Sequence, residues 1–257
     1  MTRRHLYLLV EVLAPLVLLG VWWAASAGST DPYFPALSKI FDKFSQVWLF
    51  RRFDSDVVPS LARMFAGYAL AAVIGLPLGV ALGLAPRLHE AVAPVLEFFR
   101  AIPPPALVPF GIVVLGVGDA MKIFIIVAVC VFPIMLNAVD GVRGVDPGLV
   151  DTAKAYQVSR RDRLMHVVVP AAAPQMFAGL RTGLALALIL MVISEMVAST
   201  SGIGYFVLQS QRTFAITEMW TGILLLGILG YLLNLVFALV ERRVLRWHRA
   251  SRGAALN

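Results

Sequence analysis

The sequence predicts an all-α fold, a polytopic membrane protein of about six transmembrane helices. The first observation is composition: of 257 residues, 60% are hydrophobic and 14% charged, against about 25% charged in a soluble domain. Mean hydropathy is +0.83. The second is the length of the apolar runs. Lipid offers backbone N–H and C=O groups no partner, and runs of about 20 residues satisfy them as helices, where a barrel would show short alternating segments.

The predicted spans are Leu6 to Ala25, Leu61 to Leu84, Ala91 to Val117, Met121 to Val139, Ala172 to Ala198 and Met219 to Val240. The first has Arg3 and Arg4 before it and "AASAG" behind it, which imitates a secretory signal. Its full span length and Glu11 favour a retained helix. Residues 1–60 are expected to hold this helix and an external amphipathic segment, 61–247 the core transmembrane domain and 248–257 a tail. In the external segment Leu37, Ile40, Phe41, Phe44, Val47 and Trp48 share one helical face, a pattern that predicts a helix lying on the membrane surface.

In the second span Gly67, Ala71, Gly75, Gly79 and Gly83 recur every fourth residue, a stripe that admits close approach of another helix, in this subunit or in a second copy. The third span contains Pro103, Pro104 and Pro105, which cannot continue a regular helix, so it is broken there or begins late. After the fifth, Ser199 to Gly204, "STSGIG", reads as a tight turn near an outer gate or as a simple connection.

The net charge of +7 and a pI near 10.0 would suggest a nucleic-acid partner in a soluble protein. Here the basic residues flank apolar spans, so the surroundings are membrane lipid and no nucleic acid is implied. With the N-terminus inside, thirteen of the 22 Lys and Arg residues fall on the cytoplasmic side, seven outside and two within or near spans. Both termini are therefore expected in the cytoplasm. Cys130 stands alone in an apolar run and the four histidines lack ligand spacing, so neither a disulfide nor a metal is expected. No G-x-x-x-x-G-K-S/T loop is present, so this chain has no Walker-type cradle for ATP. Nor does the sequence contain a nucleophile and base arrangement, and an enzyme is not expected.

The most hydrophilic internal run is Asp151 to Pro170, "DTAKAYQVSRRDRLMHVVVP". Asp146 and Pro147 make a helix start, and Ser159 with Asp162 a shortened capping box. Two short helices are predicted, Pro147 to Tyr156 and Arg160 to Val169, with a corner at Gln157 and Val158.

This run resembles the EAA loop of permease subunits in binding-protein-dependent ABC importers. Asp151, Ala153 and Pro170 match the family's acidic, alanine and proline positions, whereas Gln157 stands where the family has glycine. "EFFRAIPPPALVPFGIVVLGVG" from Glu97, "FPIMLNAVDGV" from Phe132, "PQMFAGLRTGLALALILMVISEM" from Pro174, "SGIG" from Ser201 and "ERRVLRW" from Glu241 are similar to the taurine, alkanesulfonate and nitrate subgroup.

The resemblance implies a type I importer permease in the bacterial inner membrane. A second permease, the same chain or a paralogue, a cytoplasmic ABC ATPase dimer and a periplasmic or lipoprotein substrate-binding protein would be its partners. ATP and Mg would be used by the ATPase, and no cofactor would be bound by this chain. The loop at about 141–170 would be the coupling element, with Asp151, Ala153, Lys154, Tyr156, Gln157, Ser159 and Arg160 at the ATPase contact.

Glu97, Arg100, Arg181 and Glu195 are charges within or near spans, and with Gly202 and Gly204 they are candidates for the translocation path or gate. One reading has Arg100 or Arg181 attract an anionic solute. The other pairs Glu97 with Arg100, and Arg181 with Glu97 or Glu195, as packing or gate locks. A transporter or channel running on an ion gradient is the rival function.

Overall fold

α3 (Val58–Leu84), α6 (Asp119–Arg143) and α9 (Val169–Val197) pack together, with α6 in the middle. The computed structural model describes Leu13 and residues 17–246. α1 (Val17–Ser26) is the described part of the first predicted span. Apart from Leu13, the rest of that span and the 248–257 tail lie outside the described residues. The remaining elements are α2 (Leu37–Phe44), α4 (Pro86–Arg100), α5 (Leu107–Leu115), α7 (Pro147–Ala155), α8 (Arg160–Arg163), α10 (Ile203–Arg212) and α11 (Ile216–Val244).

Four described helical stretches are long and apolar enough to cross a membrane: Phe53–Leu84, Asp119–Arg143, Arg160–Val197 and Ile216–Val244. α4 and the stretch Pro104–Leu115 form a fifth span bent by 78°. The three prolines make that bend as expected, because they leave the chain without N–H donors and their rings obstruct the preceding turn.

The small-residue stripe is spent inside the subunit. A Cβ added at Gly67 would lie 2.7 Å from Cβ of Ile126, and one at Gly83 2.7 Å from Cβ of Val142. At Gly79 it would strike the carbonyl oxygen of Met135 and come within 2.6 Å of Cβ of Ala138. Ridge-to-ridge contact of this kind replaces the hydrophobic effect, which cannot drive helices together in lipid. Met64, Met121, Ile125, Ile126, Cys130 and Ile134 are consequently fully buried.

Two predicted elements differ. The amphipathic face of α2 packs on protein: Leu37, Ile40, Val47 and Trp48 are buried, Val47 and Trp48 in a cluster with Ile203, Phe206 and Leu225. The Trp48 indole donates to Thr221 Oγ1 at 3.1 Å, a fixed partner that a lipid surface would not supply. The second short helix predicted after the corner is not separate either. α8 passes through a wide turn, Leu164–Val168, straight into α9, and the Val169 N–H reaches back to the Leu164 carbonyl. That wider winding admits Pro170 without a stop.

Gly79→Ala should lower the melting temperature of the purified protein in detergent, a cost of about 1–3 kcal/mol for overpacking. Gly227→Ala, in α11 with nothing within 4 Å of the added methyl, should leave it unchanged or slightly raised.

Candidate functional site

Three groups of polar residues stand out, one at each end of the bundle and one along its side. At the first end, α7 begins at Asp146, whose carboxylate accepts from the Gly148 N–H at 2.8 Å. It ends in a Schellman corner: the Gln157 N–H donates to the Lys154 carbonyl and the Val158 N–H to the Ala153 carbonyl, both at 2.9 Å. Gln157 therefore occupies the left-handed conformation, φ +57°, that glycine adopts without steric cost. The corner is built as glycine would build it.

α8 then starts at Ser159, which accepts from the Asp162 N–H at 3.1 Å and donates to Asp162 Oδ2 at 2.6 Å. The short Asp side chain takes the hydroxyl rather than reaching back to the Ser159 backbone. Asp151, Lys154, Tyr156, Gln157, Ser159 and Arg160 are exposed, Tyr156 by 81%. Ala153 is buried and faces its own chain. Lys154 pairs with Asp151 at 2.8 Å, while Arg160 and Arg161 have no carboxylate partner among the described residues.

Along the side, the bent span and α6 line a half-open cavity of about 940 Å³ with Phe99, Arg100, Phe110, Phe124, Asn137 and Asp140 in its wall. Its lining is mostly apolar, with Arg100 and the Asn137–Asp140 pair of positions as the polar exceptions. Asn137 is held from both sides, donating to the Pro133 carbonyl at 2.8 Å and accepting from Gln175 at 2.9 Å. Glu97 pairs with Arg100 at 3.0 Å across one helical turn. Arg181 contacts neither expected partner. Its guanidinium donates to Glu241 at 2.5 Å and lies 5.8 Å from the Phe237 ring centre. α9 places Arg181 on the side of α11, half the length of the helix away from Glu195.

At the other end Glu195 is completely buried. Its carboxyl accepts from Ser60 Oγ at 2.7 and 2.9 Å, from Arg63 at 3.0 Å and from the Gly204 N–H at 3.0 Å. Ser60 also accepts from the Ile203 N–H at 3.0 Å, and Asp56 from the Gly202 N–H at 2.7 Å. The N–H groups of the N-cap Gly202 and of the first two residues of α10 thus end on three side chains, Asp56 from the turn before α3, Ser60 from α3 and Glu195 from α9. This is a helix N-terminus capped in trans, favourable for the peptide dipoles and for the carboxylates alike.

Gly202 has φ +116°, and a Cβ there would fall on the Glu195 carboxylate. A Cβ at Gly204 would fall on the Val192 carbonyl. Both glycines are required by close approach. Arg63 continues the network to Asp119 at 2.7 Å, and Lys122 lies 3.5 Å from the same oxygen.

Of the residues singled out in the sequence, Glu195, Gly202 and Gly204 come together here, joined by Asp56, Ser60 and Arg63, which the sequence reading did not single out. The available signal was Arg63 itself, a charge only two residues inside a predicted span and needing a partner.

Gln157→Gly should stabilise the protein by about 1 kcal/mol through relief of the left-handed Cβ contact, visible as a higher melting temperature. Glu195→Leu should cost about 3–5 kcal/mol because it strands Arg63 in the interior. Adding Arg63→Leu should recover part of that loss in the same measurement.

Residues 57–247 match the family described as binding-protein-dependent transport system inner membrane component. The taurine transport system permease protein of Escherichia coli strain K12 is 30% identical over 252 residues, 95% of this chain and 91% of that protein. A putative aliphatic sulfonates transport permease protein of Bacillus subtilis strain 168 is 27% identical over 244 residues, 94% and 88% of the two chains. The bicarbonate transport system permease protein of Synechococcus elongatus is 32% identical over 192 residues, 74% and 69% of the two chains. Among solved structures, a chain of the MetNI methionine ABC transporter in an inward-facing conformation superposes with a TM-score of 0.66 at 24% identity, covering 74% of this chain and 94% of that one. The chain belongs to the binding-protein-dependent inner membrane transport components: it is a multi-pass permease subunit of an ABC importer with the type I fold.

Proposed function

We propose that this permease lines the path of an ATP-driven importer for a small anionic solute, with both termini in the cytoplasm. A second permease subunit completes the path, an external binding protein delivers the solute, and a separate ATPase dimer binds ATP and Mg. This chain binds no cofactor in that scheme.

The observation that carries the reading is the exposed, doubly capped corner from Asp146 to Arg163. Caps at Asp146 and Ser159 and the Schellman turn at Gln157 fix its shape, and Val150 and Ala153 seat it on its own chain. Its exposed face is offered outward by Asp151, Lys154 and Tyr156. Such an element is built to seat in another protein, and Arg160 and Arg161 are free to meet acidic ATPase residues. Ala153 contributes differently, holding α7 against its own chain.

The solute class rests on Arg100. Among the described residues it is the only lysine or arginine in the wall of the large cavity, and its partner Glu97 does not line that wall. Arg100 is a single cation in a mostly apolar wall that also carries Asp140; it attracts an anion, while the carboxylates of Asp140 in the wall and Glu97 beside it keep the attraction weak enough for release. The named substrates of the taurine, sulfonate and bicarbonate relatives are anionic or zwitterionic and agree with this. Arg181, tied to Glu241, serves to hold α9 to α11.

Proteoliposomes containing the permease, its ATPase and the binding protein should accumulate solute only with ATP inside. Tyr156→Glu should abolish that uptake while leaving the folded protein intact by melting temperature. Uptake by the permease alone along an ion gradient would replace this reading with a secondary transporter.

A further inference from the structure

Arg63 and Lys122 are buried cations with too few hydrogen-bond acceptors, and they meet at the open start of a long helix. Lys122 is 4% exposed and Arg63 9%. Buried charges are ordinarily paired and their N–H groups satisfied, because bare ones forfeit the hydration they gave up. Arg63 Nη1 does reach Glu195. Its Nε, however, is buried without a hydrogen bond: Asp119 Oδ1 lies at 2.7 Å but off the line of the N–H. Lys122 Nζ has the same oxygen at 3.5 Å and donates no hydrogen bond among the described residues. One carboxylate oxygen is thus shared by two buried cations and satisfies neither.

The same point is the N-terminus of α6. Its N-cap, Gly118, supplies no side chain, and the N–H groups of Asp119, Ala120 and Met121 have no acceptor among the described residues. The aligned peptides of this 25-residue helix leave about half an elementary positive charge there. The approach is open, since a Cβ added at Gly116 or Gly118 would meet nothing within 4 Å. The Asp119 side chain is 63% exposed, although the two cations beneath it are not. With Asp119 turned in, it and Glu195 balance Arg63 and Lys122. With Asp119 turned out into water, one positive charge is left over beside an uncapped helix start, the arrangement that takes an anion.

We propose that Arg63, Lys122 and the α6 N-terminus form a binding site for a small, singly charged oxyanion, a carboxylate or sulfonate, and that Asp119 keeps it closed as a built-in competitor. An arriving oxyanion gives each cation an oxygen of its own and approaches the free N–H groups as well. Asp119, tethered at the first residue of the helix, offers the same oxygen to both cations. The exchange leaves the bond between Arg63 and Glu195 in place, so α10 stays capped while the tie between α3 and the start of α6 is released. None of Arg63, Asp119 and Lys122 lines the Arg100 cavity, and the inference goes beyond the importer reading without depending on it.

The test titrates methanesulfonate against chloride, at constant ionic strength, on the purified full-length permease in detergent and reads the melting temperature. The parent should show a saturable rise with methanesulfonate that chloride does not give. Asp119→Asn should melt lower in chloride, because it strands two buried cations, and should return to the parent value with methanesulfonate. Its half-saturating concentration should be about tenfold lower, since the tethered competitor is gone. Lys122→Gln should lose the saturable rise; if that variant does not fold, the Asp119→Asn rescue decides the matter. Chloride matching methanesulfonate overturns the site, as does a folded Lys122→Gln protein that keeps the parent response. A purely structural ion pair predicts that Asp119→Asn falls and is not rescued, which also overturns it. ATP-dependent uptake is not read in any of these measurements and tests the importer reading by itself.

Discussion

The seam between α3 and α6 is the constraint on which the rest depends. Where Gly67, Gly75, Gly79 and Gly83 face α6, backbone meets side chain with no room for a methyl group. That closeness seats α6 against α3 on one side and α9 on the other. It also fixes what α6 carries at its two ends. Near one end Asn137 and Asp140 enter the cavity wall, and at the other Asp119 and Lys122 meet Arg63. The polar sites are therefore positioned by an apolar contact, and a single misplaced methyl group in the seam would shift both.

The buried Glu195 network gives specificity rather than raw stability. Removing two charges from water costs several kcal/mol per ion, and an ion pair of this kind is often no more stable than well-packed apolar residues. What it supplies is uniqueness. Only one placement of α10 lets Gly202, Ile203 and Gly204 donate to Asp56, Ser60 and Glu195 together. The two glycines remove the steric bar to that placement, and Arg63 balances the carboxylate from the same helix that supplies Ser60. Besides the apolar packing of Ile203, Phe206 and Val207, this short helix is held in register by the N–H groups at its start.

Much of this was legible in the sequence. Apolar runs of bilayer length located the long helices, the proline triplet located the bend, and the caps at Asp146 and Ser159 located the corner. The parts that were not legible share a cause: each depends on which helix faces which. Periodicity identifies the apolar face of α2 but not whether lipid or α11 covers it. Spacing shows that Arg181 needs a partner, and only packing chooses Glu241. Helix-start signals marked Ser159 correctly, yet the sequence gives no sign that a wide turn carries α8 past Pro170 into α9. Gln157 is the instructive case, since it stands where the family has glycine and the chain adopts the left-handed corner with a Cβ present.

That continuity has a mechanical consequence. From Arg160 to Val197 the chain is one helical stretch of 38 residues, about 57 Å at 1.5 Å per residue. One end is anchored to the exposed corner by Ser159, and near the other end Glu195 grips the start of α10. A helix is stiff along its axis, and both ends are attached by directed hydrogen bonds rather than by adaptable apolar contact. Movement of the corner by a fraction of a helical turn cannot be absorbed at either attachment without breaking a bond. It must tilt or slide α9 against α6, where Gly141, Gly179 and Gly183 allow the helices to lie close. The wide turn at Leu164–Val168 is the one place along this rod where the winding is loose, and its position next to the corner makes it the natural point for the stretch to flex.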